Sequence, residues 1–188
     1  VDPNDAGVPT TPLSQQEQTR LSSESTLPPQ ALAAAAIREL WEETGLILGA
    51  QGPWHGDIPD DWKDFAEAGY LPSARPLQFV FRAITPMGRP RRFDARFFLV
   101  DADEIASDLD DFSRAEDELS HLQWIPLEEV RSFDLPFITE VVLAEVAHRA
   151  HATEPPSNVP FFHNGIEESL FPRLGGRGPL TGKQIADD

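Results

Sequence analysis

The clearest periodic pattern of apolar and polar positions lies at residues 31–44, where a period of about 3.6 residues predicts one amphipathic helix. Its apolar side carries Ala33, Ile37, Leu40 and Trp41. At about 100° per residue, three carboxylates fall within one arc of roughly 100° on the other side. They belong to Glu39, Glu42 and Glu43. Gly45 stands where a left-handed residue is expected to end the helix.

Shorter apolar runs predict the remaining elements. A helix from Asp60 or Asp61 to about Ala68 would bury Trp62 and Phe65. Strands are predicted at 46–48, 77–84, 92–100 and 121–125, with the middle two as a hairpin, and a second long helix at 137–151.

Proline-rich stretches flank these elements. Residues 1–30 contain five prolines and few large apolar side chains, so we expect irregular structure there. Residues 152–188 are rich in proline and glycine and are predicted to form a tail. The predicted organisation is therefore an irregular segment at 1–30, a folded domain at 31–151 and a tail at 152–188.

Composition narrows the classes of function. The net charge of −17 argues against general binding to nucleic acid or to an anionic membrane surface, because like charges repel over long range. No apolar run approaches the roughly 20 residues that a membrane span needs. The chain has no cysteine, which rules out disulfides and thiolate metal sites and permits the reducing cytoplasm, our expected location.

The acidic helix face is the strongest chemical signal. Three carboxylates on one rigid surface repel each other, and Arg38 is the only cation in the segment. A hard divalent cation such as magnesium or manganese would relieve that repulsion and retain water positions for phosphate oxygens. The alternative is a solvated acidic face on a surface helix.

Residues 38–46, Arg-Glu-Leu-Trp-Glu-Glu-Thr-Gly-Leu, match all seven specified positions of R-E-U-X-E-E-X-G-U, the core of the Nudix box. The chain therefore resembles the Nudix family of diphosphate hydrolases. The resemblance implies an α/β/α sandwich with a mixed sheet and a magnesium or manganese ion on Glu42 and Glu43, with Glu39 beside them. We expect Arg38 to orient a carboxylate through a bidentate pair rather than to touch substrate, and a surface ion pair would be the same contact with less consequence.

The upstream part of the box does not match, because Gln30 and Glu24 stand where a glutamate and a glycine are required. Either Gln30 is a weak, uncharged metal ligand, or the alignment slips across an insertion. Residues 1–5 resemble the stretch that follows a Gly-Gly turn in one Nudix group that carries such an insertion. We therefore expect a fragment, or a departure from the family, with an incomplete sheet that is poorly stable or pairs with a second copy as a homodimer.

Further site residues are expected from the family pattern and from charge. The acidic loop before Trp124 supplies Glu118 as candidate base or metal ligand, with Glu116 second, although a solvated loop explains them equally well. The predicted catalytic set is thus Glu42, Glu43, Glu118 and Arg38. Three arginines lie at the predicted hairpin turn: Arg89, Arg91 and Arg92. They could bind substrate phosphates, or they could serve only the solubility of the protein. Asp94 and Arg96 could face the site or form a cross-strand pair.

Three segments also resemble a bacterial branch related to the acyl-coenzyme A diphosphatases: residues 85–86, 91–98 and 124–129. The leading hypothesis is a hydrolase of nucleoside diphosphates linked to another moiety, with coenzyme A or its acyl esters as first substrates. The competing hypothesis is a Nudix-fold binding or regulatory module with little catalysis. Gln30 and the absent N-terminal strands favour the second hypothesis, and the intact glutamate face favours the first.

Overall fold

The computed structural model describes residues 1–85, 90–115, 121–150, 158–163 and 173–174. The chain forms two units, each built from two stretches of sequence. The first unit contains Val1–Gln78 and Val100–Trp124, and the second contains Phe79–Leu99 and Ile125–Asp188. None of the described helices combines the length and the apolar character that crossing a membrane demands.

The predicted amphipathic helix is confirmed in the first unit as α2, Pro29–Thr44. It begins two residues earlier than predicted, because the fixed φ of Pro29 suits the first turn of a helix. Gly45 ends it with φ 74°, and its N–H donates to the Trp41 carbonyl at 2.7 Å. Ile37 and Trp41 lie in the core, as the apolar stripe predicted.

The prediction of irregular structure over residues 1–30 is wrong. A 3₁₀ helix spans Pro3–Gly7, and helix α1 spans Gln15–Ser22 with Ser14 as its N-cap. Val8, Leu13 and Leu21 are buried. Capping side chains and prolines at helix starts shape this segment, and its short elements have no long apolar period.

The short helix near residue 60 is confirmed. A 3₁₀ turn, Asp60–Trp62, leads into α3, Lys63–Glu67. Trp62 and Phe65 are buried, and their rings meet nearly edge to face with centroids 5.4 Å apart. Phe65 also meets Trp41 of α2 at 5.6 Å, so aromatic packing connects α3 with α2.

The first unit contains a small two-stranded sheet. Strand β1, Gly49–Gln51, pairs antiparallel with β2, Tyr70–Pro72. The predicted strand at 46–48 lies further along the chain, since residues 46–48 are buried without regular structure and strand pairing begins at Gly49. Ile47 instead accepts a hydrogen bond at its carbonyl from the N–H of Ala106 at 2.8 Å.

The second unit is built on a mixed sheet, which confirms the predicted α/β class. Its described strands follow the order β4-β3-β5-β6: β3 is Gln78–Ile84, β4 Asp94–Leu99, β5 Val159–His163 and β6 Arg173–Leu174. The predicted hairpin strands are β3 and β4. Strand β5 runs parallel to β3, with Arg82 opposite Phe161, and antiparallel to β6.

Helix α4, Phe137–Ala150, covers this sheet. Val142 packs with Val80, Phe81 and Ala83 of β3. Arg149 lies buried near the end of α4, where it donates to the Val80 carbonyl at 3.2 Å and to Glu145 at 2.9 Å. The helix prediction at 137–151 is confirmed through Ala150, and residue 151 lies outside the described residues.

The strand predicted at 121–125 is absent, and part of the predicted tail is a strand. The stretch at 121–125 is irregular, and His121 has φ 65°, a left-handed conformation that a strand does not accommodate. The tail predicted at 152–188 instead contributes β5, whose Val159 and Phe161 are buried. A five-residue run that contains Pro160 and lies in a proline-rich region does not have the composition of an interior strand.

Candidate functional site

The three predicted carboxylates lie together near the C-terminal end of α2. The side chain of Glu39 is 52% exposed and that of Glu42 is 24% exposed, and Glu43 is also exposed. None of them lies in the core beside Ile37, which is fully buried. The prediction that the three share one face away from the core is confirmed, and their chemical roles stay predictions.

Arg38 connects these carboxylates to the rest of the first unit. Its Nη1 donates to Glu42 Oε2 at 2.6 Å, its Nη2 to Glu39 Oε1 at 2.9 Å, and its Nε to Asp5 Oδ1 at 3.2 Å. Burial opposes the charged guanidinium, but the hydrogen bonds from Arg38 to Glu42 and Asp5 outweigh it and raise the Arg38 pKa above its ordinary value. Arg38 is therefore a permanent cation that orients carboxylates, in agreement with its predicted contact.

Asp5 is the site residue that sequence reasoning missed. It is 1% exposed, and besides Arg38 it accepts hydrogen bonds from Trp62 Nε1 at 3.4 Å and from the backbone N–H of Asp2 at 2.8 Å. Asp2 caps the 3₁₀ helix Pro3–Gly7 in return, which fixes Asp5 in place. The Asp-Pro-Asn-Asp pattern could have revealed this capping box, but nothing local indicated Arg38 as the distant partner.

Gln30 lies apart from the carboxylates. Its Nε2 donates to Thr10 Oγ1 and to the Thr11 carbonyl, the latter at 3.3 Å. It precedes Glu39 by nine helical positions, which is about 13 Å along the axis. The geometry therefore assigns Gln30 to anchoring the 10–11 segment and does not bring it to the predicted metal ligands.

The donor chemistry of the α2 face fits a hard divalent cation. One guanidinium, Arg38, faces Asp5, Glu39 and Glu42 directly, and Glu43 adds a further carboxylate on the same surface. Among the described residues, no three His, Cys, Asp or Glu side chains already form a group that could hold a metal. Glu39 and Glu42 each give one oxygen to Arg38 in this arrangement, so a bound cation would share them with that arginine.

Glu116 and Glu118 lie outside the described residues. The segment before them passes close to the end of α2. A Cβ built on Gly45 would lie 2.9 Å from Arg114 Cβ and 3.2 Å from the backbone nitrogen of Ala115. Glycine at position 45 therefore serves both the left-handed conformation and this close approach.

We expect Gly45→Ala to lower the free energy of unfolding by about 3 kcal/mol. A left-handed alanine costs about 1–2 kcal/mol, and overpacking against the 114–115 backbone adds a similar amount. Gly69→Ala is the matched control, because Gly69 has φ 88° but no atom within 4 Å of the point where an added Cβ would stand. Urea unfolding measures both variants, and equal losses would contradict the importance of the contact with Arg114.

The hairpin arginines belong to the second unit. Arg89 lies outside the described residues, whereas Arg91 and Arg92 are exposed. Of the two alternatives left open for Asp94, the structure shows a cross-strand pair: Nε and Nη2 of Arg82 donate to the two Asp94 carboxylate oxygens at 2.8 Å each. Burial of the Asp94 carboxyl would raise its pKa, but the contacts with Arg82 and Arg96 outweigh burial and lower it.

Comparisons with known proteins identify one family. The NUDIX domain family matches residues 28–146, which include all of α2 and most of α4. The crystal structure of a NUDIX hydrolase from Alicyclobacillus acidocaldarius is similar at 23% identity, covering 82% of this chain and 79% of that one, with a TM-score of 0.43. Comparison with curated protein sequences finds no significant match.

Proposed function

The chain belongs to the Nudix family, and from that premise we propose that it is a magnesium- or manganese-dependent hydrolase of nucleoside diphosphate derivatives. Membership of the family makes it a hydrolase that acts on diphosphate bonds. The metal, the substrate and the roles of individual residues are the parts that we propose.

One observation carries the proposal: Arg38 holds Glu39 and Glu42 side by side on the face that also presents Glu43. We assign the metal to Glu39, Glu42 and Glu43, whose carboxylate oxygens are the donors that magnesium prefers. When bound, the metal would neutralise phosphoryl oxygens and lower the pKa of a coordinated water. The role of Arg38 is to orient two of these carboxylates, and buried Asp5 holds Arg38 from the other side.

The proton from the attacking water needs a base. We propose Glu118 for this role, with Glu116 as second choice, on the basis of the family resemblance of the acidic loop. The proposal for this base is supported by the close approach of Arg114 and Ala115 to Gly45. Ala115 directly precedes Glu116 in the chain, so the chain reaches the end of α2 just before this acidic segment begins. A carboxylate within hydrogen-bond reach of the water is what general base catalysis requires.

For the substrate we propose coenzyme A or an acyl-coenzyme A ester, in which a diphosphate joins a nucleotide to a second moiety. The support is the resemblance of residues 85–86, 91–98 and 124–129 to one bacterial Nudix branch.

The test is hydrolysis of a panel that contains coenzyme A, acetyl-coenzyme A, ADP-ribose and a dinucleoside diphosphate. We expect turnover with magnesium or manganese and none with excess chelator, because phosphoryl charge must be neutralised. Separation of the products identifies which diphosphate bond was cut. Metal binding without turnover of any substrate would support the binding-module alternative instead.

A further inference from the structure

A cavity adjoins the carboxylate face within the first unit. Its volume is about 460 Å³, and the described residues that line it are Trp41, Glu42, Asp64, Glu67, Ala68 and Arg114. Among these six, Arg114 is the basic residue. Arg114 and Ala68 also line a second cavity of about 320 Å³ beside Gly45. Arg114 is therefore the cation shared by both cavities, and Glu42 connects the larger one to the proposed metal site.

Two contacts hold Arg114 in this position. Its Cβ lies 2.9 Å from where a Cβ on Gly45 would stand, so the stem of the side chain is set against the end of α2. Its guanidinium carbon lies over the Trp41 ring, 5.8 Å from the centroid. The Trp41 ring is itself packed against Phe65. A cation–π contact occupies the face of a guanidinium and leaves its N–H groups at the edge for other acceptors.

Within the part of the chain that the structure describes, no carboxylate lies within ion-pair distance of Arg114. This distinguishes it from Arg38, which pairs with three carboxylates. An arginine that orients protein side chains has its donors filled by them, whereas no side chain among the described residues takes up the donors of Arg114, so a ligand can use them. Planar N–H pairs match the oxygens of a phosphate group.

We propose that Arg114 binds a phosphate of the substrate and positions the diphosphate beside Glu42. This inference rests on the proposed function, because the diphosphate is the substrate of that same site. The other charged side chains that line the cavity are acidic, so a bare diphosphate would be repelled. The species that Arg114 takes is therefore a diphosphate already complexed with a divalent cation.

Calorimetric titration with imidodiphosphate, a diphosphate that resists hydrolysis, tests the inference in the presence of magnesium. We expect Arg114→Gln to weaken binding by about tenfold or more, the usual effect of losing charge-assisted hydrogen bonds. Arg114→Lys, which keeps the charge but loses the planar fork, should fall between this variant and the native chain.

Arg75→Gln is the matched control. Arg75 is an exposed arginine of the same unit, and only its backbone N–H has a hydrogen bond among the described contacts, to Thr11 Oγ1. Both glutamine variants remove one positive charge from a chain of net charge −17, so a general electrostatic effect would weaken imidodiphosphate binding equally in both. Binding by Arg75→Gln should match that of the native chain.

Each outcome decides between the claims. If Arg114→Gln and Arg75→Gln bind imidodiphosphate equally well, the proposed role of Arg114 is wrong. The proposed function would still stand in that case if the native chain hydrolyses a diphosphate substrate. Absence of magnesium-dependent binding and of turnover in the native chain overturns both claims. If Arg114 positions substrate, kinetics with an active substrate should show a raised KM in Arg114→Gln with a smaller change in kcat. Circular dichroism confirms that each variant is folded.

Discussion

Replacing Glu43 with glutamine is expected to lower the turnover of a diphosphate substrate by about 100-fold or more. The amide keeps the size of the side chain and removes the charge that would hold the metal. Glu43 lies on the exposed face of α2, so the free energy of unfolding should change little. Turnover at saturating magnesium and urea unfolding measure the two effects separately.

Glu104→Gln provides the control for the loss of one negative charge. Glu104 is an exposed residue of the same unit, in the 3₁₀ helix Ala102–Glu104, and it takes no part in the proposed site. The turnover of the Glu104→Gln variant should equal that of the native chain. If Glu43→Gln retained native turnover at saturating metal, Glu43 would have no role in metal binding.

The second large effect is expected at Asp5, where alanine should lower the free energy of unfolding by about 3 kcal/mol. Breaking a buried ion pair costs about 3–5 kcal/mol, because it leaves a charge uncompensated. Arg38 still forms its ion pairs with Glu39 and Glu42 in this variant, so we expect a loss at the lower end of that range. Trp62 Nε1 also loses its acceptor on Asp5. Urea unfolding measures the loss.

A double-mutant cycle separates the pair from the rest of the effect. We expect Asp5→Ala to cost less in an Arg38→Met background, because the guanidinium is then no longer present to be left uncompensated. Asp57→Ala, at an exposed aspartate of the same unit, should cost little and controls for charge. An equal cost of Asp5→Ala in both backgrounds would mean that the Arg38 contact contributes nothing.

Local patterns were sufficient where a single element determines the outcome. The period of α2 placed Glu39, Glu42 and Glu43 on one face, and Gly45 marked its end, because both properties follow from helix geometry. The adjacency of β3 and β4 was equally predictable, since consecutive strands with a short connection usually pair.

Contacts between distant positions were not predictable in this way. Asp5 meets Arg38 across 33 positions, and no local period connects a buried aspartate in a short turn with an arginine on a later helix. Strand β5 was missed for a similar reason: its five residues acquire strand geometry by pairing with β3, which is distant in the chain, and with β6. Tertiary pairing thus overrode a proline-rich composition that favoured a tail.

The parallel pairing of β3 with β5 has a consequence for the order in which the protein forms during synthesis. Arg82 faces Phe161, roughly eighty residues later in the chain, so β3 leaves the ribosome long before its neighbour exists. The intervening residues 100–124 belong to the other unit, which can begin to fold while β3 waits. Contacts between such distant positions form slowly, because a long loop must close first. A nascent chain thus exposes the backbone of β3 at Arg82, Ala83 and Ile84 until β5 has left the ribosome, and an unpaired strand edge can pair with another chain during this interval.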